Sequence, residues 1–234
     1  IVDIIRENGK LLSTRRIEAD EVAVYKEEGR MDAANHGSGR GNVRIVQLGP
    51  KQQPLGPPKP GANRTAAAPP NVPVEQEYKA TLVRYSGTMK ANNQTRVVDF
   101  FDGVEVIHTP VETPDQQIPF DDTVNKLPPG VLYLRSDRMK VYSAKDANGQ
   151  TRQEMIATGR ATVTIGDQFF GSADVIKVDE AKQQVTLEGV NGRLARARKL
   201  APGGNSGGEF SGKKMTYNRR DDTINIEDGY SGSR

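Results

Sequence analysis

The chain has 234 residues, enough for one large all-β unit or two smaller ones, and only 35% of them are hydrophobic, with 24 Gly and 14 Pro. So thin an apolar supply argues against a compact α/β enzyme and suits stacked strands that bury one face each. A formal net charge of +3 from 33 basic and 30 acidic residues, 6% aromatic residues and no Trp give little support to nucleic-acid binding, and the lack of Cys excludes disulfides, thiolate metal sites and cysteine nucleophiles.

The chain opens on Ile1-Val2-Asp3-Ile4-Ile5, with no initiator Met or signal peptide, which reads as a cut from a longer precursor. No apolar run is long enough to span a bilayer. The first patterned segment is Ala19-Asp20-Glu21-Val22-Ala23-Val24: a small residue, two mostly polar ones, then apolar–any–apolar. His36 follows in a Gly-rich stretch. Gly37-Ser38-Gly39-Arg40-Gly41 lacks the Lys-Ser/Thr ending of a phosphate loop, so a flexible turn before Val43-Arg44-Ile45 is expected. Residues 1–48 are read as a first repeat region. A proline-rich segment over 49–75, including Pro54-Leu55-Gly56-Pro57-Pro58, reads as a flexible insertion, because proline removes ladder donors and favours extended chain.

From residue 76 to 234 the pattern continues. Ala80-Thr81-Leu82-Val83-Arg84-Tyr85 is the second copy. Asp99 and Asp102 flank Phe100-Phe101, and on a strand positions three apart fall on opposite faces, so they are not expected to act as paired acid and base. His108 opens a stretch to about Gly130 that reads as a loop insertion, with the histidine exposed. Two histidines in different repeats do not supply the three or four ligands of a zinc site. Both insertions read as surface decoration or as proline-containing partner-binding segments.

Ser136-Asp137-Arg138-Met139-Lys140-Val141, Ala173-Asp174-Val175-Ile176-Lys177-Val178 and Gly212-Lys213-Lys214-Met215-Thr216-Tyr217 are the remaining copies. Each is followed by a polar turn, such as Lys145 to Gly149 or Asn218 to Asp222, and by a returning run. The returns read Met155-Ile156-Ala157-Thr158-Gly159, Val185-Thr186-Leu187-Glu188-Gly189 and Ile224-Asn225-Ile226-Glu227-Asp228-Gly229. Period two means strands with one buried face, and the units are antiparallel strand–turn–strand repeats that must stack to bury it. A glycine recurring at one position predicts that every strand bends at the same level, with alternation resuming at Ala161, Val163 and Ile165. Asp20, Asp137 and Asp174 share the second repeat position, which reads as a structural ladder or turn-side solvation rather than a catalytic row. Arg193, Arg196, Arg198 and Lys199 are the strongest basic cluster, read either as possible lipid-phosphate contacts or as an edge strand protected by charge.

These motifs, small–Asp–x–apolar–x–apolar, a turn, then apolar–x–apolar–x–Gly, resemble the OstA-like repeat of the LptA family. That repeat occurs in LptA, LptC and the periplasmic part of LptD. The resemblance implies an all-β fold, a folded-over β-jellyroll (β-taco) open at the ends. It implies a non-enzymatic periplasmic component of the bacterial envelope, without cofactor or metal, that carries the acyl chains of lipopolysaccharide or a related amphiphile. The implied groove is lined by Val22, Val24, Val83, Tyr85, Met139, Val141, Met155, Ala157, Ile176, Val178, Val185, Leu187, Met215, Tyr217, Ile224 and Ile226. Partners implied are the amphiphile and other β-jellyroll proteins, or the chain itself, joined end to end by edge strands, with no nucleic acid. The alternative is a structural or adhesive β-solenoid with a filled core. Periodicity alone does not separate the two, because both demand an apolar inward face. An enzyme acting on envelope polysaccharide is disfavoured, since no convergent polar constellation is visible.

Overall fold

The computed structural model describes residues 1–7, 10–37, 39–50, 76–145, 151–200 and 206–232. Most of the expected proline-rich insertion, and the Asp146–Gly149 part of one turn, lie outside the described residues. The first strands are β1 (Val2–Glu7), β2 (Lys10–Glu18), β3 (Glu21–Tyr25), β4 (Arg30–Ala34) and β5 (Gly41–Pro50). Next come β6 (Gln76–Tyr85), β7 (Thr88–Asn92), β8 (Val97–Val111) and the short helix α1 (Phe120–Asn125). The rest are β9 (Leu132–Lys145), β10 (Thr151–Ile165), β11 (Phe169–Asp179), β12 (Gln184–Glu188), β13 (Ala195–Leu200), β14 (Ser206–Asn218) and β15 (Thr223–Gly232). All fifteen belong to one sheet, and every pairing is antiparallel.

The long strands are bent in the middle, as the recurring glycines predict. The β8–β9 ladder breaks between Phe101 and Val104, the β9–β10 ladder between Thr158 and Thr162, and the β10–β11 ladder between Thr158 and Ala161. The breaks face one another from strand to strand, so the sheet folds along a single corner into two arms. The first arm holds β3, β4, β7 and β12, the first halves of β8, β10 and β15, and the second halves of β9, β11 and β14. The second arm holds β1, β2, β5, β6 and β13 and the complementary halves. This is an all-β, folded-over jellyroll.

Corner chemistry explains the repeated Asp and Gly. Asp20 Oδ2 accepts the His36 backbone N–H at 2.8 Å, and Asp174 Oδ2 accepts that of Val190 at 2.8 Å. Asp137 is gripped by the Arg160 guanidinium at 2.8 Å. The three aspartates therefore tie each corner to the next, a structural ladder. Gly159 has φ +76°, and a Cβ there would meet Asp137 Oδ2 at 2.6 Å. Gly159→Ala is expected to destabilise by more than about 1 kcal/mol in urea unfolding, because both its φ and its neighbour oppose a side chain. Gly49→Ala, where nothing lies within 4 Å, is expected to stay within about 0.5 kcal/mol of the parent.

β5 and β6 pair along their whole length, Gly41 with Tyr85 through to Pro50 with Gln76, so the chain on either side of residues 51–75 lies side by side in one sheet. The stretch expected as a loop from His108 begins four residues later, at residue 112. β8 continues through His108, Thr109 and Pro110 because β6 still pairs there, Lys79 opposite Pro110. Pro110 is tolerated because β9 pairing ends at His108, leaving that side of β8 a local edge. Residues 112–131 then strap the outer face of the second arm. Arg44 donates to the Pro114 and Gln116 carbonyls at 2.9 and 2.7 Å, and Phe120 buries against Ile107 and Val131 under the Arg84 guanidinium.

Candidate functional site

Cross-strand pairing turns the period-two alternation into rows that run across the sheet, perpendicular to the strands. On the first arm one row passes from Val22 through Ala33, Met89, Phe100, Met139, Ala157, Ile176, Leu187 and Met215 to Ile226. A second passes from Val24 through Met31, Ala91, Val98, Val141, Met155, Val178, Val185 and Tyr217 to Ile224. With strands about 4.8 Å apart, each row runs on the order of 40 Å. The facing arm answers with Ile17, Val43, Val83, Val106, Leu134, Val163, Gly171, Ala197 and Phe210.

The sixteen residues expected on the inward face thus gather in one place, with one divergence. Fifteen join a single apolar cluster, whereas Val24 sits on the edge strand β3 and is 54% exposed. Fourteen of the sixteen belong to the first arm; only Val83 and Tyr85 belong to the second. Val104, Val106, Leu132, Leu134, Phe169, Ala195 and Ala197 complete the second arm's inner face. Their signal was the alternation resuming beyond each bend.

The interior is closed by its own side chains. Ile176 and Leu187 are 0% and 1% exposed, and the Phe169 and Tyr217 rings, one from each arm, stack at 4.2 Å with an interplanar angle of 2°. Each such buried side chain contributes roughly 1.5–3 kcal/mol.

The four basic residues do not gather. Arg196 and Arg198 project outward from β13, the latter with its guanidinium 6.0 Å above the Phe170 ring. Arg193 pairs with Asp174 at 2.7 Å on the corner. Lys199 turns inward instead and meets Asp222 of the other arm at 2.6 Å.

A polar cluster that sequence reasoning missed lies along the mouth, the side opposite the corner. His108, expected to be solvent-exposed, is buried on the inner face of β8. Thr81 Oγ1 stands 2.9 Å from its Nδ1 and Glu180 Oε2 3.4 Å from its Nε2, so a proton on Nε2 faces the carboxylate. Glu180 Oε1 accepts from the Arg219 guanidinium at 2.8 Å, and Arg219 donates its backbone N–H to the Gln183 carbonyl at 2.8 Å. Burial alone would push the Glu180 carboxyl up, but His108, Arg219 and Lys79 override it and hold it well below the usual carboxylate range. Burial lowers the Lys79 ammonium in turn. His36, by contrast, is exposed and lies 3.3 Å from Glu21. On the outer face, burial and the hydrogen bond to Glu105 push the Tyr133 hydroxyl up to about 12.

Among the described residues, no helix is long and apolar enough to cross a membrane, and no group of three or more His, Asp or Glu is arranged to hold a metal ion. A family model described as the LptA/(LptD N-terminal domain) LPS transport protein matches residues 104–223. Among solved structures, the chain is similar to LptH, described as the LptA-homologous periplasmic component of the lipopolysaccharide transport device of Pseudomonas aeruginosa. The identity is 14% and the TM-score 0.43, over 63% of this chain and 82% of that one. No curated protein sequence matches the chain.

Proposed function

The chain belongs to the LptA/LptD N-terminal-domain family of lipopolysaccharide-transport proteins, and from that premise we propose that it is a periplasmic carrier whose interior takes up the acyl chains of lipopolysaccharide or a related amphiphile. The observation that carries this reading is the set of unbroken apolar rows crossing the sheet from β3 to β15. A chain held there would meet aliphatic side chains and aromatic rings in unbroken succession, which suits sliding and hand-over rather than bond breaking. No energy-coupling step is assigned to this protein; the drive would come from its partners.

The sheet ends support partners of the same build. β1 and β3 are edge strands that expose Ile1, Val2, Ile4, Ile5, Val24 and Tyr25, and β15 is the edge at the other end. Unpaired strand edges with apolar side chains are templates for adding another strand. End-to-end pairing with a related jellyroll, or a second copy, would continue the apolar rows from one molecule into the next.

The packed interior favours a second reading, a structural module with a filled core, since Ile176 and Leu187 have no exposed surface to offer a ligand as the arms now stand. A photo-crosslinking residue at Ile176 or Leu187 separates the two. Capture of lipid A or phospholipid at these inward sites, but not at the outward Lys177, is the expected outcome. Capture at Lys177 with none inside would overturn the carrier reading.

A further inference from the structure

The two arms are joined in different ways at their two long sides. At the corner the backbone of each strand runs through. At the mouth side chains meet, and those meeting across it include charged groups. His108 on β8 faces Glu180, in the turn between β11 and β12, at 3.4 Å. Lys199 on β13 reaches Asp222, in the turn between β14 and β15, at 2.6 Å to the carboxylate and 2.9 Å to the backbone carbonyl. Arg219 backs Glu180 from the same arm, and Lys79 approaches from the opposite one.

Such bridges are a poor choice for permanent closure. Burying Glu180 and its partners costs their hydration, and the half-exposed Lys199–Asp222 pair is screened by water, so neither adds much to closure. They have a different virtue here. When the arms separate, each of these groups is rehydrated, which offsets part of the cost of exposing the Phe169 and Tyr217 rings that stack across the arms. The opposite side is built to flex, with paired ladders interrupted on successive strands and positive φ at Asp102, Gly103, Gly159, Arg160 and Asp228.

We propose that the mouth is a polar latch, in which His108 and Lys199 on one arm meet Glu180 and Asp222 on the other, and that the arms part there about the corner to admit an acyl chain sideways. What enters rests on the carrier reading; the latch itself does not. A closed interior is then the resting state of a carrier, loaded through its long side and emptied along its apolar rows.

The protein contains no cysteine, so two introduced ones take spin labels uniquely. Asp167→Cys marks the β10–β11 turn on one arm, and Lys182→Cys marks the β11–β12 turn on the other; both positions are exposed. Pulsed dipolar spectroscopy on the full chain is expected to give one short distance for the parent pair. Glu180→Gln and, separately, Lys199→Gln are each expected to add a longer population several-fold above the parent's. Far-UV circular dichroism checks that the fold is kept. Should Glu180→Gln unfold, Lys199→Gln decides, since that bridge is half-exposed and its loss strips no buried charge of its partner. Distributions that superimpose on the parent in a folded variant overturn the latch. Purified lipid A is then added to the parent. Lengthening supports side entry. Lengthening in the variants without any response to lipid A leaves the latch standing and counts against the carrier. Capture of lipid A at Ile176 with unchanged distances in every variant does the reverse.

Discussion

Arg219→Met is expected to lower the free energy of unfolding by about 3–5 kcal/mol at neutral pH, because it leaves the Glu180 carboxylate buried without its guanidinium partner. The Arg219 side chain is only 6% exposed, so water does not replace it. The pH dependence identifies the cause. In the folded parent Glu180 titrates below its unfolded value of about 4.3, so its contribution is present above that value and is lost as pH falls through the folded one. The deficit of the variant is therefore expected to be full above about pH 5 and to shrink below about pH 4, where the carboxyl protonates in the unfolded chain and in the variant alike. Urea unfolding at a series of pH values measures it. A deficit of constant size would assign the loss to packing of the arginine stem instead.

The second large effect lies in the interior. Phe169→Ala is expected to cost about 3–5 kcal/mol, since it removes a fully buried ring packed flat against that of Tyr217. Phe170→Ala, one residue along β11, is expected to cost clearly less. Its ring is on the outer face, half-buried under Arg198. Successive residues of a strand face opposite sides, so this adjacent pair tests which face is inside. Equal losses at both positions would mean that the register is wrong.

The strands and their bends were legible in the sequence because period-two alternation and a glycine at one repeated position are local signals. Asp137 and Asp174 were legible as structural for the same reason: they recur in place. The mouth was not. Glu180 and Arg219 sit in the polar turns Asp179-Glu180-Ala181-Lys182 and Asn218-Arg219-Arg220-Asp221, where charge reads as solvation, and only the fold brings a facing arm down on them. His108 was hidden by Pro110, which suggests a loop until β6 is seen pairing beyond it. A signal did exist in β8. Val106, Ile107 and His108 are consecutive buried residues, and an apolar residue out of alternation means that the outer face is covered as well. Phe120 and Leu127 in the strap supply that cover. The inner residues of the second arm were half-legible, since Ala161, Val163 and Ile165 continue the β10 pattern but nothing local says that they turn back to face their own strand's beginning.

The stacked corners also bear on cooperativity. Each strand is hydrogen-bonded to its neighbours in the sheet, and the corner aspartates Asp20, Asp137 and Asp174 each bond to the adjacent corner. The molecule is therefore close to a one-dimensional array, in which stability is a sum of unit terms and nearest-neighbour terms. Fraying in such an array starts at the terminal units and moves inward, and a defect is felt most by the two units beside it. The strands with the fewest neighbours, β1, β3 and β15, are the ones that another jellyroll would have to meet. Assembly and protection of the weakest units would then be the same event, each added neighbour removing one fraying end.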